Sequence, residues 1–437
     1  MPSHTQAIII GASIAGLVAA RVSAENFDHV LMLERDSLED GEQRKGAAQS
    51  FHAHVLLHRG LRELENLFPC ISAELLGVGA QFTNAGKDWY AEFQKGLVCE
   101  FDTDIVLMCV SRTLLETVLR RKLLSACANV SISDNTSVTS VKLDGDKPQV
   151  VATHENGHTE IIQADLLIDA TGRNSKASQW LVDAGFQAPA LDGLEPKLRY
   201  ATRYFKDVTL PQGKRAILTM AVPPAIKTGA LLMPIEDNTW ICTLYGLAGT
   251  VSPADEEGFL EFAKTAQSDF VYKGICNATA VSDIKSFSKP DTVVKSFANG
   301  RWPSCFVVIG DAIASFNPIY GQGMTSAIIA ATVLSKELKS FKPSISWAKR
   351  SQKKLNRVYM TAWKIGYSED MRWPETNKGK MPLAMRLEHK LGDLINQSIT
   401  KDPVVSKAFY QVLHMIEKPE SLLKPKILFR ILAGAVH

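Results

Sequence analysis

The stretch that decides the fold is FVVIGDA at residues 306–312, followed by NPIYGQGM at 317–324. An apolar, β-branched run that ends in Gly-Asp predicts a buried strand that delivers one carboxylate, Asp311. The Pro and Gly residues after it predict a turn, and the small residues from about 325 to 334 predict a helix. Backbone amides without partners would therefore converge at residues 321–325, beside the carboxylate.

A positive helix end beside a carboxylate is half of what a flavin site needs. The helix end could stabilise the negative charge that a reduced isoalloxazine carries on its pyrimidine edge. Asp311 could accept a hydrogen bond from a ribityl hydroxyl. An ordinary strand, turn and helix has the same pattern, so this interpretation depends on the rest of the chain.

The beginning of the chain supplies that context. Gln6–Ile10 predicts a first strand, GASIAG at residues 11–16 a phosphate-binding turn, and residues 17–24 the helix that the turn opens. Ser13 stands where such turns have their second glycine. A small hydroxyl residue still lets the backbone approach a pyrophosphate, so the pattern predicts a dinucleotide site.

An acidic residue after the second strand bears on which dinucleotide is bound. The strand covers His29–Leu33, and Glu34 lies 23 residues after Gly11, near the ~20 expected for the acid that binds an adenosine ribose. The adjacent Arg35 could instead bind the phosphate of NADP, so this segment alone leaves FAD and NADP open. The strand that ends at Asp311 favours FAD.

Length and composition allow such an enzyme. The 437 residues exceed the ~250–300 at which a single core stops growing, so two domains and a C-terminal extension are expected. A net charge of +3 with scattered Lys and Arg argues against nucleic-acid binding. Seven cysteines without a CxxC pair favour free thiols. No apolar run reaches ~18 residues and the chain goes directly into a strand, so a soluble cytoplasmic protein is expected.

The remaining pattern predicts a discontinuous first module and a separate sheet. Helices are predicted at about 53–68 and 113–126, and the segments after 339 are helical. Strands are predicted at 130–141, at 149–162 with a hairpin turn at Asn156-Gly157, and at 166–169. A further group of strands, predicted at 200–205, 216–221, 229–233 and 239–244, would form the sheet of a substrate domain.

The predicted fold class is therefore α/β (α+β). A Rossmann-like FAD-binding domain would consist of residues 1–75, 108–180 and 291–340. An inserted, mixed β-sheet substrate domain would consist of residues 76–107 and 181–290. Residues 341–437 would form a C-terminal helical extension.

Several motifs resemble those of one known family. RKGAAQSFHAHVLL at 44–57 resembles the second motif of FAD-dependent monooxygenases of the para-hydroxybenzoate hydroxylase fold, a glutathione reductase-type architecture. Its closest likeness is to the flavin epoxidases of polyether biosynthesis. The likeness spans nearly the whole chain, since it continues through Ser111-Arg112 with Leu115, the turn at 169–173, the segment 310–324, Trp373-Pro374-Glu375-Thr376 and Asp402-Pro403.

This resemblance implies a set of cofactor positions. The adenosine ribose would lie on Glu34 with Arg35 beside it, and the ribityl chain on Asp311 next to Gly310. The pyrophosphate would face Gly11, Ser13, Gly16 and Arg112, the ribityl-pyrophosphate stretch would lie along Arg44 and Gln49, and the flavin ring would lie against Gly321, Gly323, Met324 and Thr325. The implied cofactor positions also include Ala15, Val138 and Gly172.

One departure from the family concerns the nicotinamide cofactor. Hydroxylases of this fold usually have Asp-Gly where this chain has Thr171-Gly172, which argues against direct handling of NAD(P)H by this turn. A second Gly-rich strand, turn and helix is absent from the sequence, so no dedicated nicotinamide domain is predicted. NAD(P)H bound transiently and a separate flavin reductase both stay open as sources of electrons.

His52, His54 and His58 raise the hypothesis of a metal site. Their spacing could cluster imidazoles at the start of a helix. No acidic or cysteine partner stands nearby at ligand spacing, so packing or hydrogen bonding beside the flavin is the favoured role and no metal is predicted.

Two further sets of residues have a functional and a structural interpretation. Met220, Met233, Phe316 and Tyr320 could line a substrate cavity, or they could belong to the core. The basic stretch 418–430, with its interspersed Leu, Ile and Phe residues, could lie on a membrane, or it could pack on its own domain.

The predicted function is flavin monooxygenation. NADPH or NADH would reduce FAD, oxygen would form a flavin hydroperoxide, and its distal oxygen would pass to an electron-rich alkene or aromatic carbon. No catalytic side chain is predicted, because the cofactor supplies the chemistry. Epoxidation of an apolar natural product of secondary metabolism, a polyketide or terpenoid, is favoured by the resemblance and by the lack of an identifiable base for a phenol.

Other functions stay open on the sequence. A double-bond reductase of the geranylgeranyl type would use the same architecture without oxygen. A halogenase is disfavoured, because the Trp-x-Trp-x-Ile-Pro signature is absent from the sequence. A flavin-binding protein that has lost turnover would have the same cofactor motifs.

Overall fold

The computed structural model describes residues 5–41, 44, 46, 48–211, 213–288 and 292–434, and for Ala48 and Gln49 the backbone alone. The strands are, in chain order, β1 (Gln6–Ile10), β2 (His29–Leu33), β3 (Val55–Leu56), β4 (Gln81–Asn84), β5 (Trp89–Phe93), β6 (Gly96–Leu97), β7 (Val106–Cys109), β8 (Val130–Ser133), β9 (Thr136–Lys142), β10 (Gln149–His154), β11 (Thr159–Gln163), β12 (Leu166–Asp169), β13 (Ala190–Leu194), β14 (Arg199–Lys206), β15 (Ala216–Thr219), β16 (Thr228–Pro234), β17 (Trp240–Gly246), β18 (Thr279–Ala280), β19 (Lys285–Ser288), β20 (Thr292–Ser296), β21 (Phe306–Val308) and β22 (Ala314–Ser315). The helices are α1 (Ile14–Ser23), α2 (His58–Leu67), α3 (Ile71–Gly77), α4 (Arg112–Ala126), α5 (Ala177–Asp183), α6 (Glu256–Ala263), α7 (Phe270–Ile275), α8 (Gly323–Leu338), α9 (Ile345–Asp370), α10 (Pro374–Asn377), α11 (Leu383–Ser398), α12 (Pro403–Leu413) and α13 (Pro425–Gly434).

A five-stranded parallel sheet forms the centre of the first module, in the order β21-β12-β1-β2-β8. Its central strands are continuous apolar runs: β1 reads QAIII and β12 reads LLID, and all of these residues except Gln6 are buried. A parallel sheet needs such strands because helices cover its faces. The predicted Rossmann-like sheet is therefore confirmed.

The carboxyl ends of these strands bring four predicted segments to one edge of the sheet. β1 leads into Gly11, β2 into Glu34, β12 into the turn at 170–173, and β21 towards Gly310 and Asp311. Carboxyl ends of parallel strands lie at the same edge, where ligands of such sheets bind. Gly11 and Asp311 therefore lie at the same edge of the sheet, although 300 positions separate them in the chain.

An eight-stranded mixed sheet forms the second module. Seven strands follow the order β18-β14-β17-β16-β15-β5-β6, and β19 pairs with β14. The four strands predicted between residues 200 and 244 are confirmed as β14 to β17. β5, which comes from the segment 76–107, pairs in parallel with β15, so distant parts of the chain build this sheet.

One strand prediction is wrong and one hairpin prediction is confirmed. Residues 130–141 form two strands in different sheets, because Asn135 between them has a φ of 48° and turns the chain; asparagine tolerates this left-handed region better than most residues. β10 and β11 form the antiparallel hairpin predicted at Asn156-Gly157, with Gly157 at a φ of 82°.

The helix predictions hold with shifted ends. The helix predicted from residue 113 is α4 and the one predicted from residue 325 is α8. The helix predicted from residue 53 begins only at His58, because Val55 and Leu56 pair with β7 as a short strand.

The C-terminal helices cover the second sheet. α11, α12 and α13 share a hydrophobic core with β5 and β16, in which the Tyr410 ring lies 4.9 Å from that of Phe101. α9 packs along α8 of the first module. None of the helices in the described ranges has the length and apolarity that a membrane span requires.

Candidate functional site

A cavity of about 780 Å³ lies between the carboxyl edge of the parallel sheet and the eight-stranded sheet. Most predicted cofactor positions line it: Gly11, Ser13, Ala15, Glu34, Arg35, Arg44, Arg112, Val138, Gly172, Gly310, Asp311, Gly321, Gly323 and Met324. Met220, Phe316 and Tyr320 of the predicted substrate pocket line it as well. Its volume is typical of a small-molecule site.

Two predicted cofactor residues lie behind the cavity wall. A Cβ atom on Gly16 would lie 1.9 Å from the Gly11 carbonyl oxygen, so this glycine serves the close approach of α1 to the turn after β1. Thr325 is fully buried where α8 packs on α2, opposite Gly60. Both residues support the site through packing and do not line the cavity.

Met233 and Gln49 also differ from the expectation. Met233 is fully buried in the core that the second sheet shares with the C-terminal helices, whereas Leu231 on the same face of β16 reaches the cavity. Side-chain alternation gives the face of a strand but not the depth of each position, which is why the sequence misplaced Met233. The side chain of Gln49 lies outside the described residues.

Glu34 is held in place at the end of β2. Its Oε2 accepts hydrogen bonds from the Ala12 amide at 2.7 Å and from Arg44 Nη1 at 3.2 Å, and its Oε1 accepts one from the Asp36 amide at 3.1 Å. A carboxylate has about four acceptor positions. The described residues use three of these positions and leave one to which a ligand hydroxyl could donate.

Glu116, which was not predicted, organises the polar end of the cavity. Its Oε1 accepts hydrogen bonds from Ser13 Oγ at 2.7 Å and from Arg112 Nε at 2.9 Å, and its Oε2 accepts one from Arg44 Nη2 at 2.5 Å. Burial acts to raise the pKa of Glu116, but the charges of Arg112 and Arg44 lower it to about 2. Glu116 is therefore ionised and fixes both arginines. The available signal was its position four residues after Arg112 on a predicted helix.

The polar end of the cavity fits a pyrophosphate. Arg44 and Arg112 are permanently charged there. Ser13 is the N-cap of α1, but its hydroxyl donates to Glu116 and does not cap the first amides of the helix. These amides are left for an anion.

Asp169, the last residue of β12, holds the turn that follows this strand through hydrogen bonds. Asp169 is fully buried and accepts hydrogen bonds from the Thr171 amide at 2.9 Å, from Thr171 Oγ1 at 2.6 Å and from Ser175 Oγ at 2.5 Å. Burial raises the pKa of Asp169, and these donors oppose the shift. The Thr171 hydroxyl is thus engaged inside the turn, while Gly172, with a φ of 75°, lines the cavity.

Asp311 is available as an acceptor. Its carboxylate lines the cavity, and no donor in the described part of the chain hydrogen-bonds to it. Burial raises its pKa, and the positive charges of Arg173 and Arg112 oppose the shift. An unused carboxylate at this depth fits the predicted ribityl hydroxyl.

The turn beyond Asp311 places amides at the cavity. Gly321 has a φ of 65°, in the left-handed region that favours glycine, and α8 starts at Gly323 without a side-chain cap from Gln322. Of the amides predicted at 321–325, that of Gly321 donates to the Pro318 carbonyl at 3.0 Å. Gly323 and Met324 begin α8 at the cavity wall, where the amides of a first helical turn have no acceptor within the helix. They fit the electron-rich edge of a flavin ring.

Asp370, another residue that was not predicted, anchors this turn. It is fully buried at the end of α9, and its carboxylate accepts hydrogen bonds from Asn317 Nδ2 at 2.7 Å, Thr292 Oγ1 at 2.8 Å and Tyr320 Oη at 3.4 Å. Burial raises the pKa of Asp370 to about 7. Asp370 touches the turn and not the cavity, so it positions Asn317 and Tyr320.

His52 and His54 line the cavity as neutral groups, whereas His58 lies outside its wall, where its Nδ1 accepts a hydrogen bond from the Val106 amide at 3.2 Å. His54 Nδ1 donates to the His52 carbonyl at 2.7 Å, and His52 Nδ1 lies 2.8 Å from Thr202 Oγ1. Burial lowers the pKa of His52 to about 4, and burial with the Arg112 charge lowers that of His54 to about 3. Among the described residues no group of three His, Cys, Asp or Glu side chains is placed to hold a metal ion.

The other end of the cavity is apolar. The second sheet contributes aromatic and aliphatic side chains, and α12 with the turn after it contributes Phe409, Tyr410, Leu413 and Leu422. The sequence pattern did not predict this contribution of the C-terminal helices. Of the described residues, the charged one at this end is Glu369, which is engaged by Gln94 at 2.9 Å and by Arg372 at 2.9 Å.

Known proteins are similar over most of the chain. Residues 4–343 match the FAD binding domain family. Protein Rv3254 of Mycobacterium tuberculosis (strain ATCC 25618 / H37Rv) is 26% identical to this chain over 429 residues. The aligned region covers 94% of this chain and 90% of that protein.

Solved structures share the fold. p-Nitrophenol 4-monooxygenase PnpA from Pseudomonas putida DLL-E4 superposes with a TM-score of 0.69 at 15% identity, over 96% of this chain and 100% of that one. The flavin-dependent brominase Bmp2 superposes with a TM-score of 0.70 at 14% identity, over 99% of each chain. At such identities the likeness shows the fold and not the reaction.

Proposed function

The chain belongs to the FAD binding domain family, and from this premise we propose that it is an FAD-dependent monooxygenase. The substrate would be a neutral, apolar natural product, a polyketide or terpenoid alkene or an aromatic compound, which is epoxidised or hydroxylated with O₂ and electrons from NAD(P)H. Bound FAD would supply the oxygen chemistry. The residues of the chain would bind, orient and desolvate the reactants.

One observation carries this proposal: predicted cofactor residues and an apolar, aromatic end share one cavity. Glu34, Arg44, Arg112 and Asp311 would hold the dinucleotide by its ribose, pyrophosphate and ribityl groups. The amides at the start of α8 would stabilise negative charge on the ring. A substrate at the apolar end would then meet the ring where water is excluded.

The charges at the cavity wall favour a neutral substrate. In the described part of the chain, the cationic side chains that line the cavity are Arg35, Arg44 and Arg112, which are predicted cofactor positions, and Arg173 and Lys176, which follow Gly172. Among the described residues, the charged group of the apolar end is the carboxylate of Glu369, which Gln94 and Arg372 engage. A carboxylate or phosphate on the substrate would lack a cationic partner there and would bear its desolvation cost.

The two histidines in the cavity wall favour an alkene over a phenol as the substrate. Sequence reasoning found no base for a phenol, yet His52 and His54 lie in the cavity wall. Their pKa values of about 4 and about 3 are ~6 units below that of a phenol such as tyrosine. Such weak bases do not deprotonate a phenol efficiently. Epoxidation, which needs no base on the substrate, is therefore the preferred reaction.

Labelled oxygen tests the proposed function. FAD-loaded protein with NADPH and a library of neutral alkenes and aromatics should transfer one atom of isotope-labelled O₂ to its substrate. A reaction without substrate, which yields only peroxide, is the control. Saturation of a double bond without oxygen consumption would replace the proposal by a double-bond reductase of the geranylgeranyl type.

Asp311→Ala is expected to weaken FAD binding roughly tenfold to hundredfold. The variant removes an acceptor that no described residue uses, and a hydrogen bond to a charged group contributes about 1.5–3 kcal/mol. Titration of the apoprotein with FAD, followed by flavin fluorescence, measures the dissociation constant. Asp311→Asn, which keeps an acceptor oxygen, should retain more affinity than Asp311→Ala. Equal constants for wild type and Asp311→Ala would show that the carboxylate does not bind the cofactor.

A further inference from the structure

The segment that ends the described C-terminal part touches both the cavity and the outer surface. Leu422 is buried and lines the cavity, whereas the next residue, Leu423, is 49% exposed. On α13, Phe429 is 74% exposed and Leu432 is 50% exposed. We call Leu423, Phe429 and Leu432 the C-terminal apolar surface. Three large apolar side chains exposed within ten residues are unusual on a protein that has no partner there.

Positive charge accompanies this surface. Residues 418–432 contain four basic side chains, Lys418, Lys424, Lys426 and Arg430, against one acidic side chain, Glu420. Arg430 pairs with Asp402 at 2.7 Å, and Lys424 lies 3.8 Å from Glu417. Lys418 and Lys426 are exposed and form no ion pair with the described residues. Unpaired lysines beside exposed apolar groups match an anionic, partly apolar partner.

The neighbouring helix repeats the combination. α11 packs against α13, with Ser398 Oγ donating to the Ile431 carbonyl at 3.3 Å. Leu383 and Leu387 on α11 are exposed, and Arg386 and Lys390 follow each of them three residues later. Positions three and four apart lie on one helix face.

Two other occupants fit less well. The C-terminal segment already packs on its own domain through Ile431 and Leu422, which are buried. This packing leaves Phe429 exposed. A second copy of the chain in a symmetric contact would bring the same lysines face to face, and like charges oppose such a contact.

We propose that α13 and the turn before it dock on an anionic lipid surface. Leu423, Phe429 and Leu432 would lie among the lipid headgroups and acyl chains, and the unpaired Lys418 and Lys426 would lie against the negative headgroups. The proposal rests on the proposed function in one respect: a neutral, apolar substrate would pass from the bilayer along Leu422 into the cavity. Lipid binding itself does not depend on turnover.

Vesicle sedimentation with the FAD-loaded, full-length protein tests the proposal. Wild type should bind vesicles of phosphatidylcholine and phosphatidylserine in equal parts, bind phosphatidylcholine alone weakly, and be released by high salt. Phe429→Glu should lower the partition coefficient at least about tenfold, because it replaces a large apolar side chain that would be buried in the lipid by a negative charge. Ile161→Glu is the matched control, since Ile161 on the hairpin strand β11 is an apolar residue of similar exposure, 66% against 74% for Phe429.

The outcomes separate the two proposals. Equal binding by wild type and Phe429→Glu, or no binding of wild type to either vesicle, overturns lipid docking. A concentration-dependent dimer that Phe429→Glu abolishes overturns it in favour of a second copy. Retained vesicle binding without any oxygenated product would instead overturn the proposed function and leave lipid docking standing.

Discussion

Gly16→Ala is expected to give protein that does not retain FAD and that unfolds at a lower temperature than wild type. The new Cβ atom would lie 1.9 Å from the Gly11 carbonyl oxygen and 2.9 Å from its carbonyl carbon. Both contacts are with backbone, so α1 has to move away from β1. Overpacking of this kind costs about 1–3 kcal/mol or more, and the movement also displaces the amides proposed to bind the pyrophosphate.

A second glycine of the same site provides the control for Gly16→Ala. Gly172 also lies beside the cofactor positions, but a Cβ atom there would meet no atom within 4 Å, and its φ of 75° is the remaining obstacle. Gly172→Ala should therefore retain FAD, at a cost of about 1–2 kcal/mol. FAD content after gel filtration and the thermal midpoint measure both variants. Wild-type FAD content in Gly16→Ala would contradict the close packing of α1.

Asp370→Ala is expected to be strongly destabilised and to bind FAD weakly. The substitution leaves Asn317 Nδ2 and Thr292 Oγ1 without their acceptor at buried positions. Each unsatisfied buried group costs about 1–3 kcal/mol. The turn that carries Gly321 loses its anchor on α9, so the flavin ring loses a fixed wall. Thermal midpoint and FAD titration measure the two effects.

Asp370→Asn is expected to change how stability depends on pH. The folded-state pKa of Asp370 is about 7, above the ordinary value of 3.8, so the folded state binds this proton more tightly than the unfolded state. The contribution of this carboxyl to stability is therefore full below about pH 4 and is lost as the pH rises through 7. The total change is about 4 kcal/mol.

Asparagine has nearly the same shape and does not titrate. Its Oδ1 can accept from Asn317, and its Nδ2 can donate to the Thr292 hydroxyl. The thermal midpoint of Asp370→Asn relative to wild type should therefore rise from pH 5 to about pH 7 and level off towards pH 8. A difference that stays constant over this range would show that Asp370 keeps one charge state throughout.

Local patterns in the sequence predicted the parts of the site that lie directly after strands. The apolar runs of β1, β2, β12 and β21 are buried strands, and Gly11, Glu34, Gly172 and Asp311 follow their ends. Such residues are predictable because strand period, turn glycines and the common edge of a parallel sheet are encoded within a few positions. Their shared location did not require knowledge of any side-chain contact.

Contacts between distant segments were not predictable in the same way. Glu116 reaches Arg44 across 72 positions, and Asp370 reaches Thr292 across 78. An acidic residue on an amphipathic helix has the same pattern whether it is solvated or buried against an arginine. Burial and partner, which set the pKa of each carboxyl, depend on the neighbouring elements.

The sequence by itself determined the parallel nucleotide-binding sheet, the strand ends that carry the cofactor residues, and the separate strands of the second module. Only the tertiary structure decided which apolar residues line the cavity and which fill the core. Met233 and Met220 look alike in sequence, yet α11 to α13 bury the first and leave the second at the cavity. The reason is physical: strand periodicity assigns a face, whereas the depth of a side chain on that face is set by the helices that pack over it, here from more than 140 residues further along the chain.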